Sequence, residues 1–451
     1  MKSFILTFVI LILTSCSFDN KTGIWKDASN IPIDNKDSES IKGNVKSRYE
    51  NIFTKKKQYN EEKNLSSEYI LKLDPPIKIE NWTEEYGAKS NNISNYAYGG
   101  NKKLLSKSSK LKKLSSNKNI VFYDNNLITF DHKGKIFIYS LDLRKKTFQY
   151  NFYKKSYKNI KKDIYLTTSE DVLYVADNLG YIYAIDLNNR SLIWAKNYGI
   201  PFRSNLKVID EQILVANQDN VIYSIDIKTG DKNWQFATVL TFLKSDFKNN
   251  LSLDVFNNNL FFLNTSGEFY SINYLNQKIN WVLNFKNRSL AEDTNLFLSQ
   301  PVVLNRSGVV ISTENSVFSY DLQNGSRNWI FPARSILKPV LTSNYLYMLT
   351  KNNLLICLNN KTGEVLWSKN IYKDILKGKL KKKIGTFFDF KISDNELNFF
   401  SKNGYLLSFN FSSGNLESIK KLSKNGISSE VFFLNNNMFL IDNHNKLLKF
   451  N

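Results

Sequence analysis

The chain has 451 residues and only two cysteines, Cys16 and Cys357. A disulfide-stapled scaffold is therefore excluded, and the fold must stand on packing. Histidine is almost as scarce, at two residues. No GxSxG, HExxH, paired CxxC or phosphate-binding glycine loop occurs, so the common hydrolase, metalloprotease, zinc and nucleotide signatures are missing. No apolar run reaches the ~20 residues that cross a bilayer as a helix. Acidic residues are outnumbered, 41 against 62 basic ones, for a formal net charge of +21. Such a balance favours anionic partners. The lysines are scattered through an Asn- and Ile-rich chain rather than massed, which reads as compositional bias. The densest run, KGKLKKK at residues 377–383, reads as a solvated loop between repeat units.

What is present begins with the first 15 residues. Lys2 precedes an apolar stretch over residues 4–13, which fits the core of a secretion signal. The next residues, LTSC, resemble the lipobox of bacterial lipoproteins. That resemblance implies cleavage before Cys16, acylation of Cys16, and membrane attachment through a lipid anchor. Ser17 at the following position resembles outer-membrane sorting, with the protein on the periplasmic face. Export also removes nucleic acid from the list of partners. Residues 16–75 are polar and lysine-rich and cannot bury enough apolar surface to offset their ordering entropy, so they read as a flexible tether. Residues 76–451 form the folded body.

The body repeats itself. GYIYAIDLNNRSLIW (180–194) returns forty residues later as NVIYSIDIKTGDKNW (220–234). Eight units can be counted, each two short runs of Ile, Val, Leu, Tyr and Phe around a polar turn, the pattern of a β-hairpin. Trp194, Trp234, Trp281, Trp329 and Trp367 fall at the period of four-stranded propeller blades. Each lies eight residues after an Asp or Asn: Asp186, Asp226, Asn273, Asp321 and Asn359. Those side chains are placed to bond backbone two residues on, and the glycines in several of the turns supply positive φ, so the acids read as structural. Cys357, inside LLICLNN, reads as a small buried hydrophobe.

The idealised rhythm AxDxxTGxxxW resembles the quinoprotein-type (PQQ-like) repeat. Ala184, Asp186 and Trp194 match in one unit, and Asp226, Thr229, Gly230 and Trp234 in the next. The resemblance implies an all-β, eight-bladed propeller in which each Trp wedges between blades. The first unit has Tyr150 where Trp is expected, and the seventh has Ser418. The eighth stops a strand short. An N-terminal strand must then close the ring, and residues 77–82 (IKIENW) are the expected donor.

Lipobox, tether and eight such repeats together resemble the BamB family of outer-membrane β-barrel assembly lipoproteins. The resemblance implies a non-enzymatic scaffold with no cofactor and no metal. Its implied partners are the POTRA domains of BamA, other subunits of the assembly complex, and unfolded outer-membrane proteins. Two connections match the family's contact loops: YGIPFRSNL (198–206), with Pro201, Phe202 and Arg203, and LKSDFKNNL (243–251), with Asp246. Apolar residues in the first connection suggest a covered surface. Two alternatives stay open. One is a lipid-anchored, PQQ-dependent dehydrogenase, against which stands the lack of adjacent cysteines. The other is a surface propeller that binds sugar or peptide.

Overall fold

The computed structural model describes residues 58–451 except 113, 115–118, 239–249, 286–296, 374, 376 and 377, together with two short pairs near the start of the chain. The chain divides into two units at residues 56 and 57. In the first, Ser17–Phe18 pairs antiparallel with Trp25–Lys26. Cys16 lies outside the described residues.

The second unit is an all-β propeller of eight four-stranded antiparallel sheets. Blade 1 runs Val121–Tyr123, Asn126–Phe130, Ile136–Ser140 and Lys145–Tyr150. Blade 2 comprises Ile164–Ser169, Val172–Asp177, Tyr181–Asp186 and Ser191–Asn197. Blades 3 to 7 begin at Lys207, Asn250, Val303, Val340 and Phe387. Blade 8 begins at Phe432. First strands of adjacent blades approach one another around the axis, whereas the fourth strand of blade 2 exposes all but Trp194.

Local chemistry explains the hairpins. The first two strands of five blades are joined by residue pairs with positive φ at both positions: Asp124–Asn125, Glu170–Asp171, Asp210–Glu211, Asp394–Asn395 and Asn435–Asn436. Positive φ at both central residues gives the mirror-image turn that matches strand twist, and Asn and Asp tolerate it best. The third turn of each of the first seven blades repeats as well. Its fourth residue after the Asp position is left-handed in every case: Arg144, Arg190, Gly230, Gln277, Gly325, Gly363 and Gly414.

Tryptophan and glycine meet across blades. The Trp194 indole donates to Ile227 O of blade 3 at 2.9 Å. A Cβ on Gly230 would lie 2.5 Å from that ring. Trp281 with Gly325, Trp329 with Gly363 and Trp367 with Gly414 make the same seat. Glycine is thus required twice, for its φ and for its missing side chain. At these four seams the Trp ring lies between its own blade and the next. At the seam between blades 3 and 4 Gln277 replaces glycine, and Trp234 is only half-buried. Opposite each Trp stands a small residue, Ala184, Ser224, Ser271, Ser319 or Cys357. Cys357 is fully buried, as expected.

Four expectations need correction. The Trp position of blade 1 is Phe148, which faces Ile138, not Tyr150. Ser140 takes the turn role there, accepting from Leu143 N–H. The ring is closed by an N-terminal strand, but that strand is Leu104–Lys107 against Leu447–Phe450. Residues 77–82 turn inward to the axis instead, because Trp82 is fully buried there. Residues 58–75, expected to belong to the tether, lie against the body instead. Lys63 bridges Ser368 on the outer edge of blade 6, Glu62 pairs with Lys373 at 2.5 Å, and Leu71 is buried. Last, Gly378–Ile384 is a short helix rather than a loop, with Lys381, Lys382 and Lys383 exposed.

Candidate functional site

Propeller sites lie on the axis or on the rim, and here the axis is occupied by the chain itself. Residues 79–96 cross it and bond to every blade. Trp82 and Phe122 of blade 1 exchange backbone hydrogen bonds at 2.8 and 2.9 Å. Thr168 of blade 2 donates to Thr83 O. Lys207 of blade 3 donates to Ala88 O and to Asn91 Oδ1. Leu253 of blade 4 and Leu304 of blade 5 donate to Lys89 O and Ser90 O. Asn91 reaches two blades at once, donating to Leu251 O and Val302 O at 2.8 and 2.9 Å. Asn92 and Leu341 of blade 6 bond reciprocally. Tyr96 donates to Ile392 O of blade 7, and Asn435 of blade 8 donates to Ile79 O. Most of these contacts fall where the innermost strands finish, so the segment stoppers that end of the channel.

Charge is concentrated on the same axis. Lys207 Nζ lies 2.6 Å from Glu84 Oε2, both buried, and Lys89 lies 2.8 Å from Glu84 Oε1. Burial opposes the charge on Glu84, but Lys207 and Lys89 hold its carboxyl below the usual range. Burial pulls Lys207 down to about 8, against the attraction of Glu84. Both groups are therefore ionised at neutral pH. Lys391 Nζ sits between Asp389 Oδ1 and Glu430 Oε1 at 3.1 and 2.9 Å, and stands 5.4 Å over the Trp82 ring. Burial works against Lys391, yet Asp389 and Glu430 raise its pKa above the ordinary value. Beyond Tyr86, whose φ is 65°, a cavity of about 330 Å³ opens where the innermost strands of blades 5 to 8 begin.

A quinone cofactor with its calcium does not fit these groups. Calcium takes six to eight oxygen ligands. The axial carboxylates Asp389 and Glu430 already hold the Lys391 ammonium in the position a cation would take between them. Among the described residues no group of three His, Cys, Asp or Glu is placed to hold a metal.

On the rim, the connection between blades 2 and 3 folds inward. Phe202 is fully buried and packs on Tyr198 and Tyr223, with ring centroids 5.8 and 6.1 Å away. Arg203 is buried too, 3.7 Å from Asp163 of blade 2. Both side chains fasten blade 2 to blade 3 in this structure. The apolar character that suggested an open anchor arises from filling the gap between blades. Pro201 and Ile200 stay partly exposed beside exposed Gly199. Asp246 lies outside the described residues, so the two connections are not seen together. The repeat acids sit in exposed turns. Asp186 accepts from Asn189 N–H, Asp226 from Lys228 and Thr229 N–H, and Asp321 from Gln323 and Asn324 N–H, at 2.7–3.0 Å.

Sequence reasoning missed the axial residues Glu84, Asn91, Lys207, Lys338 and Lys391. One signal was available: a Lys in the innermost strand of a blade, as in LKVID and FKISD, points a charge where the pattern of neighbouring blades has an apolar or small residue.

Comparison with known proteins gives three results. A family model described as outer membrane protein assembly factor BamB matches residues 144–369, half of the chain. An uncharacterized protein of Rickettsia prowazekii (strain Madrid E) is 23% identical over 371 residues, 78% of this chain and 84% of that protein. Among solved structures, BamB from Moraxella catarrhalis superposes with a TM-score of 0.58 at 14% identity, covering 77% of this chain and 99% of that one. The quinohemoprotein alcohol dehydrogenase of Comamonas testosteroni superposes with a TM-score of 0.61 at 9% identity, over 82% and 80%. At these identities the structural likenesses carry the fold alone.

Proposed function

Because the chain belongs to the family described as outer membrane protein assembly factor BamB, we propose that it is a non-enzymatic scaffold of outer-membrane protein assembly, lipid-anchored at Cys16 on the periplasmic face. One observation favours this over the dehydrogenase reading. The axis that would hold a cofactor is stoppered by residues 79–96, and its acid pair already holds the Lys391 ammonium between its carboxyl groups. A rigid ring bonded to its own core presents connections from a fixed frame, and so loses little entropy on docking.

The proposed partners are the POTRA domains of BamA, other subunits of the assembly complex, and unfolded outer-membrane proteins. Since Phe202 and Arg203 hold the seam, the proposed docking face on this rim is the partly exposed Ile200 and Pro201 and their neighbours. The test is binding of the full chain to purified POTRA domains of the same organism, with Ile200→Glu and Pro201→Glu set against neutralised Lys381, Lys382 and Lys383. Loss of binding in the first variant alone is expected. If no POTRA domain is retained by the unaltered chain, the scaffold reading fails. Stoichiometric uptake of pyrroloquinoline quinone with calcium, followed by dye-linked alcohol oxidation, would restore the dehydrogenase reading. For the anchor, Cys16→Ser should release the protein from membranes.

A further inference from the structure

The charges that act on Lys338 come from Lys391, Glu430, Asp389 and Lys207. Every one of these has its own partner. Asp389 and Glu430 are bonded to Lys391, and Lys207 to Glu84. Lys338 is the odd member. Its ammonium donates to Asn91 O at 3.0 Å and stands 5.8 Å over the Tyr86 ring. No carboxylate lies within ion-pair distance of it among the described residues. An ammonium has three donors, so two of them have no partner among the described residues. Lys338 lines the 330 Å³ axial cavity, whose other walls include Tyr86, Ile336, Leu337 and Phe388. That volume is at the small end of ligand pockets, about 300 to 1,000 Å³.

We propose that this cavity binds a single carboxylate carried on a small apolar or aromatic body, with Lys338 as the cation that receives it. The chemistry follows from the walls. One unshared ammonium calls for one negative charge, and Lys is a compact point charge that does not demand a bidentate partner. Asp389 and Glu430 line the same space with Lys391 held between them, and their remaining negative charge limits the ligand to one carboxylate, placed on the Lys338 side. The aliphatic and aromatic walls take the rest of the ligand. The acid can be a free small molecule or the terminal carboxylate of a polypeptide, and the two share this recognition.

The probes are 3-phenylpropionate, its amide, and a tetrapeptide with an aromatic last residue in free-acid and amidated forms. Each is titrated by calorimetry into the full chain in detergent at pH 7. The acids should bind and the amides should not. Lys338→Met should weaken binding roughly tenfold or more, the range of a charged hydrogen bond. Because that variant also leaves Asn91 O without its donor, a second measurement uses the unaltered chain. Acetic anhydride footprinting should show Lys338 protected by the bound acid while exposed Lys381 stays reactive. Raising the pH gives a third readout. Burial, and then Lys391, bring Lys338 down to about 8. Binding should therefore weaken above pH 8 as the ammonium loses its proton. Binding of the peptide acid without 3-phenylpropionate assigns the site to chain termini, and the reverse assigns it to free acids. Equal binding of acid and amide, no protection of Lys338, or no binding of either acid overturns the proposal. None of these results bears on the scaffold reading, which is tested by POTRA binding.

Discussion

Eight blades are held together in two different ways, at the outer seams and at the axis. The seams are repetitive: a Trp of one blade lies flush on a Gly of the next, four times over. Each such contact concerns two neighbours, as in any linear array of repeats. The axis is singular. One segment, residues 79–96, bonds to all eight blades and carries a fully buried Trp82 and a buried ion pair. The seams fix the angle between neighbours, whereas the axial segment senses the whole ring. A repeat array can gain or lose a unit without offending any one seam. The axial bonds are satisfied only when eight blades surround the segment.

The sharpest way to break this comparison is to remove the axial segment and keep the closing strand. A chain starting at residue 100 retains Leu104–Lys107 but loses Trp82, Glu84 and Asn91. Set against a chain starting at residue 58, it should lose its cooperative melt, a loss on the order of the whole stability of an ordinary domain, about 5–15 kcal/mol. Equal melting temperatures would show that the seams suffice. Next in size is the axial ion pair. Glu84→Leu leaves Lys207 buried without its carboxylate, and breaking such a pair from one side costs about 3–5 kcal/mol. Adding Lys207→Met should recover most of that loss, since an apolar pair of similar volume is often neutral. Chemical denaturation of the two variants checks it, and an unrepaired double variant would mean that the lost hydrogen bonds to Asn91 matter more than the charge.

The seams are tested by truncating their tryptophans. Trp367 is fully buried, so Trp367→Ala should cost about 3 kcal/mol or more. Trp234 is half-buried, and Trp234→Ala should cost roughly half as much. Equal losses at the two sites would argue that burial does not set the strength of a seam.

Legibility followed the same division. The repeat period, the acid-to-Trp spacing and the missing eighth-blade strand were readable because each recurs, and recurrence makes a local signal strong. The closing strand was misplaced because IKIENW and LLSK (residues 104–107) are equally extended runs, and pairing partners far apart in the chain leave no local mark. Burial of Phe202 and Arg203 was not readable either. An apolar side chain in a connection looks the same whether it fills a gap between blades or awaits a partner. The axial charges were invisible for a further reason. Glu84, Lys207 and Lys391 lie far apart in sequence, and only closure of the ring brings Glu84 to Lys207 and Lys391 onto Trp82.

The smallest effect is also the most diagnostic. Gln277 holds φ at 63° in the turn where four other blades use glycine. A non-glycine residue in that region costs about 1 kcal/mol or more. Its Cβ also stands where Trp194, Trp281, Trp329 and Trp367 come within 2.7 Å of the position a Cβ would take. Trp234 cannot seat as closely, which accounts for its exposure. Gln277→Gly removes both obstacles, and the extra freedom of glycine in the unfolded chain offsets part of the gain. The expected net effect is a stabilisation of about 0.5–1 kcal/mol. The reverse change, Gly363→Gln, should destabilise by about 2 kcal/mol, since it adds strain and displaces the Trp329 ring. A double-mutant cycle separates the two sources of the gain. In a Trp234→Ala background Gln277→Gly should keep the part due to backbone strain and lose the part due to packing. If the gain is the same in both backgrounds, the residue facing Trp234 does not control how that seam closes.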